Sequence, residues 1–288
     1  MNTSSLDVFI YVLGTAQDAG YPQVGCKKIC CRNAWNNKVA VRLPSCIAIV
    51  NKKLKKYWLI DITPEIKAQL HLLDEFECDL AGIFITHAHS GHYMGLFNLG
   101  LEVMNTKSIP VYVMPRMLEF LKSNQITNQL IENNNIKLVE LSDNNEITLD
   151  LEVSVQPFNV PHRNELSETV GFKISTNTKS LVYLPDIDTW DDWLNNLIDL
   201  IENNDILLLD GTFYSKDELK NRDISKIPHP TILNTMNVLN DIGNDLKNKI
   251  YFTHLNHTNE VINSNSSGFK NVINNGFKIL EEKNLFYM

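Results

Sequence analysis

The sequence predicts an α/β protein built from two sheets with helices on the outside. Three observations carry that expectation. Short apolar runs alternate with segments of helical spacing. Both halves of the chain run strands first and mixed strand and helix later. No stretch rich in Pro, Gly or Ser interrupts the 288 residues, which suffice to bury one large core. The expected organisation is one domain over 1–288.

In chain order, "VFIYVLG" (8–14), "SCIAIV" (45–50), "YWLID" (57–61) and "LAGIFIT" (80–86) read as strands. "TPEIKAQLHLLDEF" (63–76) starts with Thr63 and Pro64, a helix-start signal, and keeps apolar residues at helical spacing. "YMGLFNLGLEVM" (93–104) reads as a helix, "PVYVM" (110–114) as a strand and "PRMLEFLKSN" (115–124) as a helix. Two long alternating strands follow, around "ITLDLEVSVQPFNV" (147–160) and "ETVGFKIS" (168–175). The second half repeats the rhythm: strand "KSLVYLPD", helix "WDDWLNNLIDLI", strand "DILLLDG", helix "PTILNTMNVLNDI", strand "KIYFTHL". The ending "GFKILEEKNLFYM" (276–288) reads as a closing hairpin.

The net charge of -8 and pI near 5.5 argue against nucleic acid or an anionic membrane as partner. No apolar run approaches the roughly 20 residues that span a bilayer. "VFIYVLG" lacks a basic region before it and reads as a first strand, not a signal peptide. Five cysteines, three of them clustered, make poor disulfide arithmetic. The expectation is a cytoplasmic protein with a small-molecule substrate. Nothing in the sequence specifies an oligomeric state.

The histidines carry the chemistry. Of eight, His87, His89 and His92 follow one predicted strand, His162 a second and His254 a third, with His257 three residues on. His229 lies in "IPHPT", and Asp186 ends the strand "LVYLPD". Residues at strand ends converge on one rim of a sheet. Imidazole is a neutral ligand for zinc and similar metals. Alternation puts His87 and His89 on one side, within reach of one ion, and His92 can turn back towards a second. "GTAQDAG" (14–20) reads as a tight loop near this rim. Asp210 and Phe213 are expected near the pocket, with Asp210 able to support a metal-binding His from behind.

The loop "THAHSGH" (86–92) resembles the His-x-His-x-Asp-His signature of the metallo-β-lactamase superfamily, with His162, Asp186 and His254 following in the family's order. Within it the chain is similar to the pyrroloquinoline-quinone biosynthesis B branch. The matching pieces are "VLGTAQDAGYPQVGC" (12–26), "ITPEIKAQL" (62–70), "DGTFYSKDEL" (210–219), "PHPTI" (228–232) and "THLNHTN" (253–259). The resemblance implies an αββα four-layer sandwich, the metallo-β-lactamase fold, with a metal site on one edge. His87, His89 and His162 would hold a first ion; His92 and His254 a second; Asp186 would bridge them. Zn2+ is the expected metal, one or two ions, with iron or manganese as alternatives. Gly91 stands where the family carries Asp. The second position is therefore expected to have three protein groups and to bind weakly. An aspartate at 91 is expected to tighten it if the backbone there has negative φ.

Two further assignments come with the resemblance. The phosphodiesterase associated with carbon–phosphorus lyase carries a similarly placed catalytic His, which makes His229 the candidate acid for a leaving group; the other reading is that it braces the "PHP" turn. Relatives also bind a structural zinc through closely spaced cysteines. Here Cys26, Cys30, Cys31 and His257 would form that set, the alternative being buried free thiols. Cys46 and Cys78 read as core.

The expected activity is a metal-dependent hydrolase acting on a small ester, phosphodiester or amide through a metal-activated water, with His229 and Asp186 catalytic. The alternatives are a metal-dependent oxidase or oxygenase in quinone-cofactor biosynthesis, and a metal-binding homologue without turnover, which Gly91 would favour.

Overall fold

Alternation in the first strand explains the whole architecture. In β1 (Val8–Gly14) every residue is buried. Phe9, Tyr11 and Leu13 enter one apolar cluster, and Val8, Ile10 and Val12 enter another. A strand covered on both faces reads as a continuous apolar run. The computed structural model describes residues 7–36, 41–150, 152–219 and 227–288.

The next strands are β2 (Cys46–Asn51), β3 (Lys56–Ile60), β4 (Asp79–Phe84), β5 (Ile109–Val113) and β6 (Ile136–Glu140). They extend the first sheet in sequence order from β1 to β6, parallel from β3 onwards. The second sheet takes β7 (Ile147–Thr148), β8 (Ser154–Asn159), β9 (Val170–Ser175), β10 (Ser180–Leu184), β11 (Ile206–Asp210), β12 (Ile250–Thr253) and β13 (Lys278–Ile279), again neighbour to neighbour. The last strand, β14 (Leu285–Tyr287), returns to the first sheet beside β1.

The facing sheets share one core: Ile47, Ile49, Trp58 and Phe84 meet Val155, Phe172, Leu181 and Tyr183. The outer face of the first sheet is covered by helices 66–71, 115–123 and 125–132 through Ile66, Met117, Leu121 and Leu130. The outer face of the second is covered by helices 194–202, 232–238 and 267–274 through Leu197, Ile201, Ile232 and Val272. Helix, sheet, sheet and helix form the four predicted layers. Trp190 belongs to this packing: it is buried and its indole N–H donates to Thr235 Oγ1 at 2.8 Å.

Several predicted elements differ. The closing hairpin does not form: β13 pairs parallel with β12, whereas β14 pairs antiparallel with β1 in the other sheet. Each of these short strands extends one sheet beyond its neighbour, so their adjacency in sequence does not become adjacency in space. The strand expected over 147–160 is two strands, β7 and β8, folded antiparallel on each other. Asp150 Oδ1 accepts from the backbone N–H groups of Glu152 and Val153 at that bend, and Leu151 lies outside the described residues. The helix expected over 63–76 narrows to 66–71 and a 3-10 turn at 74–76. Thr63 spends its hydroxyl on Gln69 Oε1, 2.7 Å away. The helix expected over 93–104 is a single turn at 90–93 continued by a 3-10 segment to Leu99. Among the described residues, no helix is long and apolar enough to cross a membrane.

Candidate metal centre

The strands β1, β3, β4, β8, β10, β11 and β12 all run the same way within their sheets, so their carboxyl ends share one rim. Asp18 follows β1, Asp61 follows β3, His87 to His92 follow β4, His162 follows β8, Asp186 follows β10, Asp210 ends β11 and His254 follows β12. The loop after β4 is tied to the second sheet, where Val170 N donates to Thr86 O at 3.1 Å and Ser167 Oγ accepts from Ala88 N at 3.0 Å.

His87, His89 and His162 come together. His89 Nδ1 is 2.8 Å from His87 Nε2 and 3.3 Å from His162 Nε2. A tetrahedral zinc with Zn–N near 2.05 Å has ligand-to-ligand edges of about 3.3 Å. A second group forms from His92 and His254, whose Nε2 atoms lie 3.1 and 3.3 Å from Asp186 Oδ2. Asp186 faces both groups: its Oδ1 is 3.8 Å from His162 Nε2 and its Oδ2 is 3.9 Å from His87 Nε2.

The inward nitrogens are chosen by what holds the other side of each ring. His92 Nδ1 sits 2.7 Å from Asp61 Oδ2, and His162 Nδ1 sits 2.7 Å from Asp188 Oδ1. His254 Nδ1 sits 2.9 Å from Thr212 Oγ1. Thr86 Oγ1 donates to Asp61 at 2.9 Å, so its contact with His87 Nδ1, also 2.9 Å, is an N–H donated by the ring. That leaves a lone pair on His87 Nε2. Partners of this kind fix tautomer and orientation in metal-binding histidines. Backbone conformation contributes too: Asp61 and His254 hold φ of 67° and 58°, a region few side chains enter.

Charge follows the same logic. Burial pushes the His87 imidazole well below its ordinary pKa and His89 down to about 4, so both are neutral, the ligating form. Burial would raise the Asp186 carboxyl, but His254, His92 and His87 hold it well below the usual carboxylate range. Burial opposes a proton on His229, and the Asp210 carboxylate outweighs it, raising His229 to about 9.

His229 joins the same rim. Its Nδ1 is 2.7 Å from Asp210 Oδ2, and its ring lies 5.5 Å from that of His162 and 6.1 Å from that of His254. Asp210 thus supports His229 rather than a histidine of the two groups, a correction to the expectation. Phe213 lies edge-on to His229 at 5.8 Å. The cysteine set also assembles: Cys26, Cys30, Cys31 and His257 present ligand atoms within 4.8 Å of one another. Cys30 and Cys31 Sγ are 3.9 Å apart, and His257 Nδ1 is 3.7 and 3.3 Å from them. Sulfur-to-sulfur edges around a tetrahedral zinc are about 3.8 Å, so the spacing of the two adjacent cysteines is compatible with one centre. Cys46 is buried elsewhere in the first sheet.

Asp18 packs against position 91. The loop "GTAQDAG" packs Asp18 against Gly91 so closely that a Cβ there would lie 2.3 Å from Asp18 Oδ1 and 2.5 Å from Asp18 Cα. Asp18 Oδ1 is 3.2 Å from His92 Nε2 and 3.9 Å from His254 Nε2. The expectation that an aspartate at 91 would tighten the second position is corrected, because Asp18 occupies the space its side chain would need. Asp18, Asp61 and Asp188 were not singled out from sequence. Asp61 carried the visible signal, as the acidic end of "YWLID"; Asp18 carried none beyond its place in the rim loop.

The donor set suits a metal. Asp18 Oδ1, His92 Nε2, Asp186 Oδ2 and His254 Nε2 are buried and have no hydrogen-bond partner among the described residues, while all four face one small volume. Buried polar atoms are rarely left so.

Comparison with known proteins gives the family and the fold. Coenzyme PQQ synthesis protein B of Acinetobacter baumannii (strain ACICU) is 22% identical over 300 residues, covering 94% of this chain and 96% of that protein. The crystal structure of Zn2+-bound PqqB from Methylobacterium extorquens matches with a TM-score of 0.81 at 22% identity, over 97% of this chain and 100% of that one. A diphosphatase from the PhnP family matches with a TM-score of 0.68 at 22% identity, over 97% and 96%. At such identities the structural likeness establishes the fold. The family model of the beta-lactamase superfamily domain matches residues 57–255, well over half of the chain. The protein accordingly belongs to the beta-lactamase superfamily and has its metallo-β-lactamase fold.

Proposed function

We propose that the protein is a metal-dependent hydrolase of a small phosphodiester, ester or amide. His87, His89 and His162 would hold one divalent ion, and His92 and His254 another, with Asp186 shared between them. The observation that carries this reading is the position of Asp186, whose two oxygens address the two histidine groups. Bound there, a divalent ion supplies a Lewis acid and lowers the pKa of a water to near 7. The chain's own residues do the rest. Thr86, Asp61, Asp188 and Thr212 hold the rings so that no inward nitrogen must reorient. His229, fixed through Nδ1 by Asp210, keeps Nε2 available to give a proton to the departing atom. A cavity of about 200 Å3 beside Asp18, lined by Gln17, Gln23, Phe213 and Asn256 among others, offers room for a small group with amide hydrogen-bonding partners.

His229→Ala tests the reading. It should lower turnover of a phosphodiester about a hundred- to ten-thousand-fold, the usual range for a general acid, and leave rim metal content unchanged. Substrates with activated leaving groups should suffer less. Loss of rim metal in this variant would make His229 a ligand instead, and unchanged turnover of unactivated substrates would remove its role.

The similarity to coenzyme PQQ synthesis protein B over 94% of the chain favours a second reading, oxidative chemistry on a quinone precursor. Imidazoles with a carboxylate also suit iron. Iron content with oxygen consumption, against zinc with oxygen-independent cleavage, separates the two. A third reading, metal binding without turnover, would show as intact rim metal with neither cleavage nor oxygen consumption.

A further inference from the structure

We propose that Asp18 is the carboxylate ligand of the second ion, delivered by the loop after β1 in place of a side chain at position 91. This rests on the two-ion reading above. Three independent observations lead to it.

The first is steric. Position 91 and Asp18 exclude one another, since any Cβ at 91 would fall inside contact distance of both the carboxylate and the main chain of Asp18. Gly91 is thus the residue that admits Asp18.

The second is chemical. Asp18 Oδ1, His92 Nε2 and His254 Nε2 face one another without satisfactory hydrogen bonds, and their ligand atoms lie within 4.8 Å. A plain salt bridge is a poor account of them. His92 already has Asp61 on Nδ1, and Asp186 Oδ2 also points at its Nε2. Among the described residues, Asp18, Asp61, Asp186 and Asp210 make ion pairs with imidazoles alone, never with Lys or Arg. Three carboxylates, Asp18, Asp61 and Asp186, converge on His92 with no Lys or Arg among their partners, and a cation is the group that such an excess of acceptors suits.

The third is mechanical. The loop carrying Asp18 is fastened to the loop carrying His254. Gln17 N donates to Leu255 O at 3.0 Å, and Leu255 N donates to Thr15 O at 2.8 Å. Gly20 N closes the turn onto Gln17 O at 2.8 Å. Asp18 is thereby held in register with a histidine it would share an ion with. It lies ahead of residues 57–255, the span that the family model matches. Because Asp18 also lines the 200 Å3 cavity, the second ion would be tied to the cavity wall as well as to the histidine loop.

The test is metal titration of stripped protein, with rim ions counted by mass spectrometry and affinities taken by calorimetry, for the unmodified chain and Asp18→Asn. The isosteric amide keeps the shape and removes the anionic ligand. The unmodified protein should take two rim ions. Asp18→Asn should keep the first unchanged and bind the second roughly a thousandfold more weakly or worse, beyond the 10- to 100-fold range for losing a group that merely orients a ligand. Gly91→Ala should weaken the second ion too, because its methyl displaces Asp18. If Asp18→Asn binds the second ion as tightly as the unmodified protein, Asp18 is no ligand and the two-ion reading stands. If the unmodified protein takes a single rim ion at any Zn2+ concentration, the two-ion reading falls and the assignment of Asp18 falls with it.

Discussion

Asp61→Asn separates orientation of a ligand from ligation itself. Asp61 is fully buried, and its carboxylate accepts from Thr86 N and Thr86 Oγ1, both at 2.9 Å, and meets His92 Nδ1 at 2.7 Å. Asparagine tolerates the φ of 67° at this position, so the backbone cost is small. Its carbonyl must face Thr86, because the reverse would set its NH2 against the Thr86 N–H. The NH2 then faces His92 Nδ1 and donates to it. His92 must accept there and carry its proton on Nε2, the atom that faces the proposed second ion. Changes of this kind behind a ligand typically cost 10- to 100-fold in metal affinity, about 1.4–2.8 kcal/mol. Calorimetric titration of the stripped variant should show that loss in the second ion alone. Nitrogen NMR should show the His92 proton moved from Nδ1 to Nε2. Unchanged affinity for both ions, with the proton moved, would refute the assignment of His92 as a ligand through Nε2.

Three other outcomes are expected. His87→Ala should abolish the first ion and turnover together, as an incomplete set of His89 and His162 holds an ion poorly; rim metal content by mass spectrometry checks it. Cys26→Ser should lower zinc content by one equivalent and lower the melting temperature, whereas a mild chelator should strip the rim before this closed site. Glu282 offers a pH test away from metal: burial raises its carboxyl from the usual 4.5 to about 7, against the Leu43 N–H and Arg42, which favour the anion. The folded chain therefore binds the extra proton between those values, and stability falls as pH rises through the window, by about 3 kcal/mol in total. Urea unfolding at pH 5 and 8 should show that decline in the unmodified protein and much less in Glu282→Gln.

The candidate site was legible wherever a proposed ligand follows an apolar strand. His87, His89, His162, Asp186 and His254 all sit at strand ends, and one rim collects them because those strands share a direction. The cysteine set was legible from its clustering, although adjacent Cys30 and Cys31 looked unsuited until the turn of helix 29–36 placed both on His257. Asp18 was not legible, because its meaning lies in a contact with Gly91 across 73 positions that no local spacing encodes. The hairpin misassigned at 276–288 failed for a related reason. Strands of two and three residues carry too little alternation to say which sheet they join. The strand Ile136–Glu140 and helix 267–274 also went unassigned, their apolar patterns being short and set among asparagines.

The cysteine cluster has a consequence for the chain as a polymer. Cys31 and His257 are 226 residues apart in sequence. An ion held between them would close nearly the whole chain into a ring. In the loop-entropy model a permanent link of that span lowers the entropy of the unfolded ensemble by about 5 kcal/mol, as a disulfide would, without needing an oxidising environment. The ring is also tied where it matters. One end of it leads back through Tyr21 to Asp18, and the other leads back through Asn256 to His254. Stripping that distant ion would loosen the two loops together and blur the rim they share, so that a protein grown in scarce zinc would lose its tethering before it lost its fold.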